Sequence, residues 1–180
     1  MRHVVRTSGF VFAIILGVML RPAAAQAPSI QAEMLKDWAS LKDTITKIAN
    51  EMPADKYGFK PTPAQMSFGD VIVHLSEGND YLCSTVAGTT AAKRSEVKVD
   101  AGKEKLVARL RETFQSCDSA LAKLDDSGLS RMVPWFGNRQ VTRAQAVLAT
   151  AQDWADHYSQ LAIYLRLNGL LPPTAKQKEE

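Results

Sequence analysis

The sequence predicts an all-α protein, a four-helix bundle behind a secretory signal peptide. Three observations carry this. Four stretches repeat apolar residues at steps of three and four. Prolines, glycines and polar runs punctuate them at both ends. No alternating apolar and polar stretch of comparable strength appears, so helices packing on one another are the default architecture.

The first element is not part of the bundle. Arg2 and Arg6 precede the apolar run "FVFAIILGVML" (10–20), and "RPAAAQA" follows with small residues. This is the three-part plan of a secretory signal. Eleven apolar residues as a helix span about 16 Å, short of the roughly 30 Å core of a bilayer. Cleavage is expected after Ala27, with Ala25 as the alternative site, and no Cys follows to carry a lipid. The chain thus divides into a signal at 1–27, a bundle domain at 28–175 and a disordered polar tail at 176–180. The mature protein is expected to be periplasmic or secreted and free of the membrane.

Ile30, Met34, Trp38, Leu41, Ile45, Ile48 and Met52 form the stripe of the first helix, which Pro53 stops. A loop with three prolines follows. Ser67 and Asp70 make a capping-box pattern that starts the second helix. Its apolar side is Phe68, Val71, Ile72, Leu75, Leu82 and Val86, and Gly88 lies at its end. Residues 89–99 read as a polar connection, with Asp100 as the N-cap of the third helix. That helix carries Val107, Leu110, Phe114, Cys117, Leu121 and Leu124. The stretch 125–140, with two glycines and a proline, breaks it. Thr142 and Gln145 make a second capping box, and the fourth helix runs to about Asn168, where Gly169 and Pro172-Pro173 end it.

Charge excludes one function class. The chain carries 22 Lys+Arg against 19 Asp+Glu, a net charge of +3. Losing the signal removes Arg2, Arg6 and Arg21 and no acid, which leaves 19 of each sign. A neutral mature domain with no basic block lacks the electrostatic footprint of a nucleic-acid binder.

The chemistry concentrates on few residues. Of three histidines, His3 leaves with the signal; His74 remains on the second helix and His157 on the fourth. Asp153 stands four residues before His157, so the two share a helix face. Together the three offer two nitrogens and one oxygen to a divalent cation, with positions left open for water or substrate. The plainer reading of the spacing is an Asp–His pair on a helix surface, worth a few tenths of a kcal/mol. Glu77 shares the face of His74, and reads as a fourth ligand, a general base, a partner of the imidazole or an ordinary exposed glutamate. Trp135 and Phe136 would cover a pocket mouth or staple their loop to the bundle; stapling is preferred. Tyr81 and Tyr164 read as packing residues near the same cavity.

"FKPTP", "SFGDVIVHLSEGN" around His74, and the closing "YLRLNGLLPP" are similar to segments of the DinB-like family, and the resemblance covers about residues 29–175. It implies a four-helix bundle in a mirror variant of the up-and-down topology. It also implies a metal site of three side chains, usually histidines, one on the second helix and two, four apart, on the fourth. His74 and His157 match the first and last; Asp153 stands where a histidine is more common. The ion implied is zinc, nickel, manganese or iron, and an oxygen donor makes the site harder and less zinc-selective. Family members include metal-dependent thiol transferases and isomerases. The expected function is an exported metal-dependent transferase or hydrolase acting on a small molecule through an activated water or thiol. The alternative is a non-catalytic envelope bundle binding a metal or small ligand at a decayed site. A second copy of the chain is a candidate partner.

The cysteines are expected to be free thiols. If the second and third helices are antiparallel neighbours, Cys83 and Cys117 lie nearly 20 Å apart along the axis, beyond the 4.4–6.8 Å between Cα atoms that a disulfide allows.

Overall fold

The computed structural model describes residues 29–176. The expected signal peptide and residues 177–180 lie outside this range. Four long helices build the molecule: α1 (Ile30–Glu51), α2 (Phe68–Ala87), α3 (Lys103–Leu121) and α4 (Arg143–Leu167). A two-stranded antiparallel hairpin, β1 (Met132–Trp135) and β2 (Arg139–Thr142), precedes α4, and a short α5 (Pro173–Lys176) follows it.

Local chemistry fixes the helix starts. Ser67 and Asp70 close their capping box on α2, and Thr142 and Gln145 close theirs on α4. Ser29 caps α1, and Asp126 adds its two carboxylate oxygens to the amides of Ile30 and Gln31 at 3.0 Å. An acid at the positive end of a helix is favourable. The cap of α3 is Gly102 rather than Asp100, which lies in a single 3₁₀ turn ahead of the helix.

The stripes meet in one core. Met34, Trp38, Ile45, Ile48 and Met52 of α1 are buried, as are all the expected apolar positions of α2 and α3. Two positions of the α1 stripe are exceptions: Leu41 is half-buried and Ile30, at its end, is exposed. Trp38 packs against Trp154 at 3.9 Å between ring centres and edge-on to Phe114. A polar network crosses this apolar interior. Asn79, fully buried, accepts from Trp154 Nε1 at 2.8 Å and donates to Thr113 Oγ1 at 3.2 Å, joining α2, α3 and α4.

The expected up-and-down topology is corrected here, because the helices do not simply alternate in direction. Trp38 and Lys42 reach Asp118, while Lys103 reaches the carbonyls of Asn50 and Met52, so α1 and α3 are antiparallel. Arg143 lies against Gly88 and Tyr164 bonds the carbonyl of Met66, so α4 is antiparallel to α2. But Asn79 meets Thr113, and Cys83 meets Cys117, at one constant offset: α2 and α3 are parallel. The order of directions is up, down, down, up. Bundles accommodate such a pair with a long crossover. Here it is residues 88–102, which return along α2 to its start. Twenty residues of helix cover about 30 Å, and fifteen extended residues reach about 50 Å. Arg94 clasps the crossover midway, with Nε on both oxygens of Asp80 at 2.8–2.9 Å and further bonds to Glu112 and Ser116. At its far end Val99 packs so closely on Gly69 that a Cβ there would sit 2.7 Å from the valine.

This geometry corrects the reading of the cysteines. Cys83 and Cys117 form a disulfide with Cα atoms 5.1 Å apart. The expected mismatch assumed antiparallel helices. In parallel helices both residues stand about 21–22 Å from their helix starts and so lie at one height.

Candidate metal centre

His74, Asp153 and His157 converge. One ligand atom from each lies within 4.8 Å of the others. The antiparallel packing of α2 on α4 brings His74 across from the fourth-helix pair, with the imidazole centres 4.9 Å apart and nearly perpendicular. Asp153 and His157 meet through the one-turn spacing read from the sequence, with Nε2 and Oδ1 3.5 Å apart. An ion about 2.1 Å from each atom in a tetrahedral set would hold them about 3.4 Å apart, close to that pair's present separation. His74 is exposed, Asp153 half-buried and His157 buried, so the third ligand has freedom to close on a site that α4 has already formed.

The surroundings of His157 favour a cation. Its Nδ1 lies 3.3 Å from Gln160 Oε1. Gln160 is oriented in turn: its Nε2 donates to Tyr164 Oη, which donates to the carbonyl of Met66. With the amide so turned, Nδ1 of His157 carries the proton. Its Nε2 then faces the carboxylate of Asp153 with a lone pair, a repulsive arrangement unless that nitrogen is protonated or a cation lies between. Partners on the far nitrogen commonly set ligand histidines in this way. In the absence of an ion, the hydrogen bond to Asp153 raises the His157 pKa above the usual imidazole value, against burial, which lowers it. The donor set therefore fits a divalent ion on this chain's own geometry.

A cleft of about 390 Å³, lined by His74 and Asp153, opens beside this group. Leu82, Trp135 and Phe136 form its apolar wall, and Asp153 and Asp156 add acidic groups; no lysine or arginine lines it. Gly78 faces Asp153, where a Cβ would stand 3.7 Å from Oδ2. Trp135 and Phe136, at the tip of the hairpin, meet both readings made of them: Phe136 stacks on Tyr81 of α2 at 4.1 Å, and the two rings border the cleft.

Glu77 is not part of this group. It is exposed and lines a separate cavity of about 300 Å³ with Asp80, Arg94 and Arg109 on the crossover side of α2. Three steps of about 100° leave Glu77 about 60° round the helix from His74, on the side that faces α3. Tyr164 packs as expected, its hydroxyl setting Gln160. Gln160 itself carries no signal in the sequence beyond its place three residues after His157.

A family model described as DinB superfamily matches residues 37–161. Among solved structures, a DinB-like protein from Bacillus subtilis superposes with a TM-score of 0.64 at 18% identity, over 76% of this chain and 92% of that one. One from Bacillus cereus gives 0.66 at 17% identity, over 81% and 96%. A mycothiol-dependent maleylpyruvate isomerase gives 0.58 at 13% identity, over 73% of this chain and 60% of that one. No curated protein matches the sequence.

Proposed function

The chain belongs to the DinB superfamily, and on that premise we propose that it is an exported metal-dependent enzyme of transferase or hydrolase type. His74, Asp153 and His157 would hold one divalent ion, zinc, nickel, manganese or iron. The observation that carries this reading is the convergence of three donors from two helices beside a cleft that His74 and Asp153 line. A divalent ion supplies Lewis acidity there, activating water or a thiol as nucleophile or polarising an electrophile. The chain's own residues do the rest. Gln160 fixes the tautomer of His157, Asp153 supplies the negative charge that a cation needs, and Trp135, Phe136 and Leu82 exclude water from one side of the cleft. With two aspartates and no lysine or arginine on its walls, the cleft suits a small neutral substrate with an apolar body. One structural relative is, by its name, dependent on mycothiol, which keeps a thiol beside water as the nucleophile.

Export is supported by the signal pattern of residues 1–27 and by the Cys83–Cys117 disulfide, a bond that persists in oxidising compartments.

The test is metal content. The purified protein, stripped with chelator and reloaded with each ion in turn, is expected to take up one ion per chain. His157→Ala and His74→Ala should each lower uptake at least tenfold. Metal content unchanged in both variants would sink the reading. Sequencing of the native N-terminus tests export: it should begin near Pro28, and an intact Met1 in the cytoplasmic fraction would refute it.

A further inference from the structure

On the other side of the hairpin lies a cavity of the opposite character. It measures about 600 Å³ and sits between the C-terminal end of α2, the start of the crossover and β1. Arg143 and Arg131 line it with the hydroxyl-bearing Ser84, Thr85, Thr89 and Thr90, and no carboxylate does.

Arg143 is the unusual group. It is only 8% exposed, yet its Nε is buried with no hydrogen-bond partner among the described residues, and it forms no ion pair with a described carboxylate. Arginine is rarely buried without such a partner, because stripping water from a charge is costly. The fold nevertheless holds it in place. Arg143 is the first residue of α4, where the helix dipole adds positive potential. Its amide donates to the carbonyl of Arg131 at 2.8 Å, and the hairpin register, with Met132 opposite Thr142, sets the two arginines side by side. Two glycines make room for the guanidinium: a Cβ at Gly88 would stand 2.7 Å from Nη2, and one at Gly128 3.0 Å from Nη1. Gly88 is also the left-handed cap of α2, with φ 71°. The carbonyl end of α2 offsets part of the charge, though a dipole end supplies about half a unit, and the exposed carboxylate of Asp125 feels both arginines from beyond ion-pair distance.

The geometry points to an oxyanion site: a carboxylate or phosphoryl group held by Arg143 and Arg131, with the hydroxyls as further donors. A guanidinium presents a planar fork matched to such groups. The cavity is larger than the anion alone, so the ligand would carry it on a small organic body. This site is distinct from the cleft of His74, Asp153 and His157 and does not depend on a metal.

The experiment uses the purified protein with chelator present, so that metal cannot bind the anion. Inorganic phosphate and acetate are titrated separately at constant ionic strength, following the Arg143 Nε–H resonance and the melting temperature. One of them should saturate, shifting that resonance and raising the Tm; phosphate would assign a phosphoryl ligand, acetate a carboxylate. Arg131→Gln should weaken binding about tenfold, and Arg143→Gln should abolish it. If Arg143→Gln does not fold, the resonance in the wild type and the exposed Arg131→Gln variant still decide. No saturable response to either anion, or equal affinity in Arg131→Gln, overturns the site and leaves Arg143 as a packing residue of the α2–α4 corner.

Discussion

In the proposed metal centre Asp153 would set the character of the chemistry. A carboxylate is a harder donor than an imidazole, so it would favour manganese and iron relative to zinc. Asp153→His should therefore raise the preference for zinc over manganese at least tenfold, measured by competition of the two ions for stripped protein. The three candidate ligands were legible in the sequence because two of them sit one turn apart and the described residues hold only one other histidine. The residues that position them were not. Gln160 matters through Tyr164 and Met66, partners supplied by a tertiary contact, and no spacing rule reveals it. Asn79 is the same case in the core. Asn79→Leu keeps the volume but leaves the Trp154 indole N–H unpaired, at a cost of about 1–3 kcal/mol. Urea unfolding should show that loss, and show less of it when Trp154 is already phenylalanine.

At the scale of elements, the helices follow from their stripes and caps, and the caps carry a pH dependence. Ser67 Oγ and the Ser67 amide both donate to Asp70, and the side-chain hydrogen bond is the main cause that holds the Asp70 pKa below its usual carboxylate value. A carboxylate depressed in the folded state adds stability above its unfolded pKa and loses it as pH falls through the folded value. Ser67→Ala should cost about 1 kcal/mol near neutral pH. The part of that cost owed to the carboxylate should shrink as pH falls from the unfolded carboxylate value of about 3.9 through the lowered folded value. Thermal unfolding of the pair across pH 2–7 measures it, and a difference constant over that range would mean that Asp70 takes no part. The elements that the sequence left unread are those whose cause is not local. The hairpin at 132–142 contains Pro134 and exposes most of its residues, so it carries no alternating pattern; it is held by Val133, buried in the core, and by the packing of Phe136 on Tyr81. The crossover looks like an ordinary polar loop because its anchor, Arg94, finds Asp80 and Glu112 on two different helices.

Across the whole molecule, one topological fact organises the rest: α2 and α3 run the same way. Parallel neighbours cannot be joined by a tight turn, so the chain spends fifteen residues returning along α2, and that return places Cys83 beside Cys117. Helix periodicity says which face of a helix is buried and nothing about its direction, so the same stripe serves an antiparallel or a parallel neighbour. The disulfide then fastens the one pair of helices whose connection is long. It closes a loop across a separation of 34 residues, for which chain entropy suggests about 3–4 kcal/mol of stabilisation. Cys83 is 2% exposed and Cys117 is fully buried, so a reductant should reach the bond slowly in the folded protein and quickly once it unfolds. Cys83→Ala/Cys117→Ala is therefore expected to keep its helical circular dichroism at 25 °C while its urea midpoint falls by an amount consistent with that energy. The wild type should match it only when unfolded and refolded in reductant. Equal midpoints for the two proteins under oxidising conditions would mean that the bond contributes nothing and that packing alone holds α2 against α3.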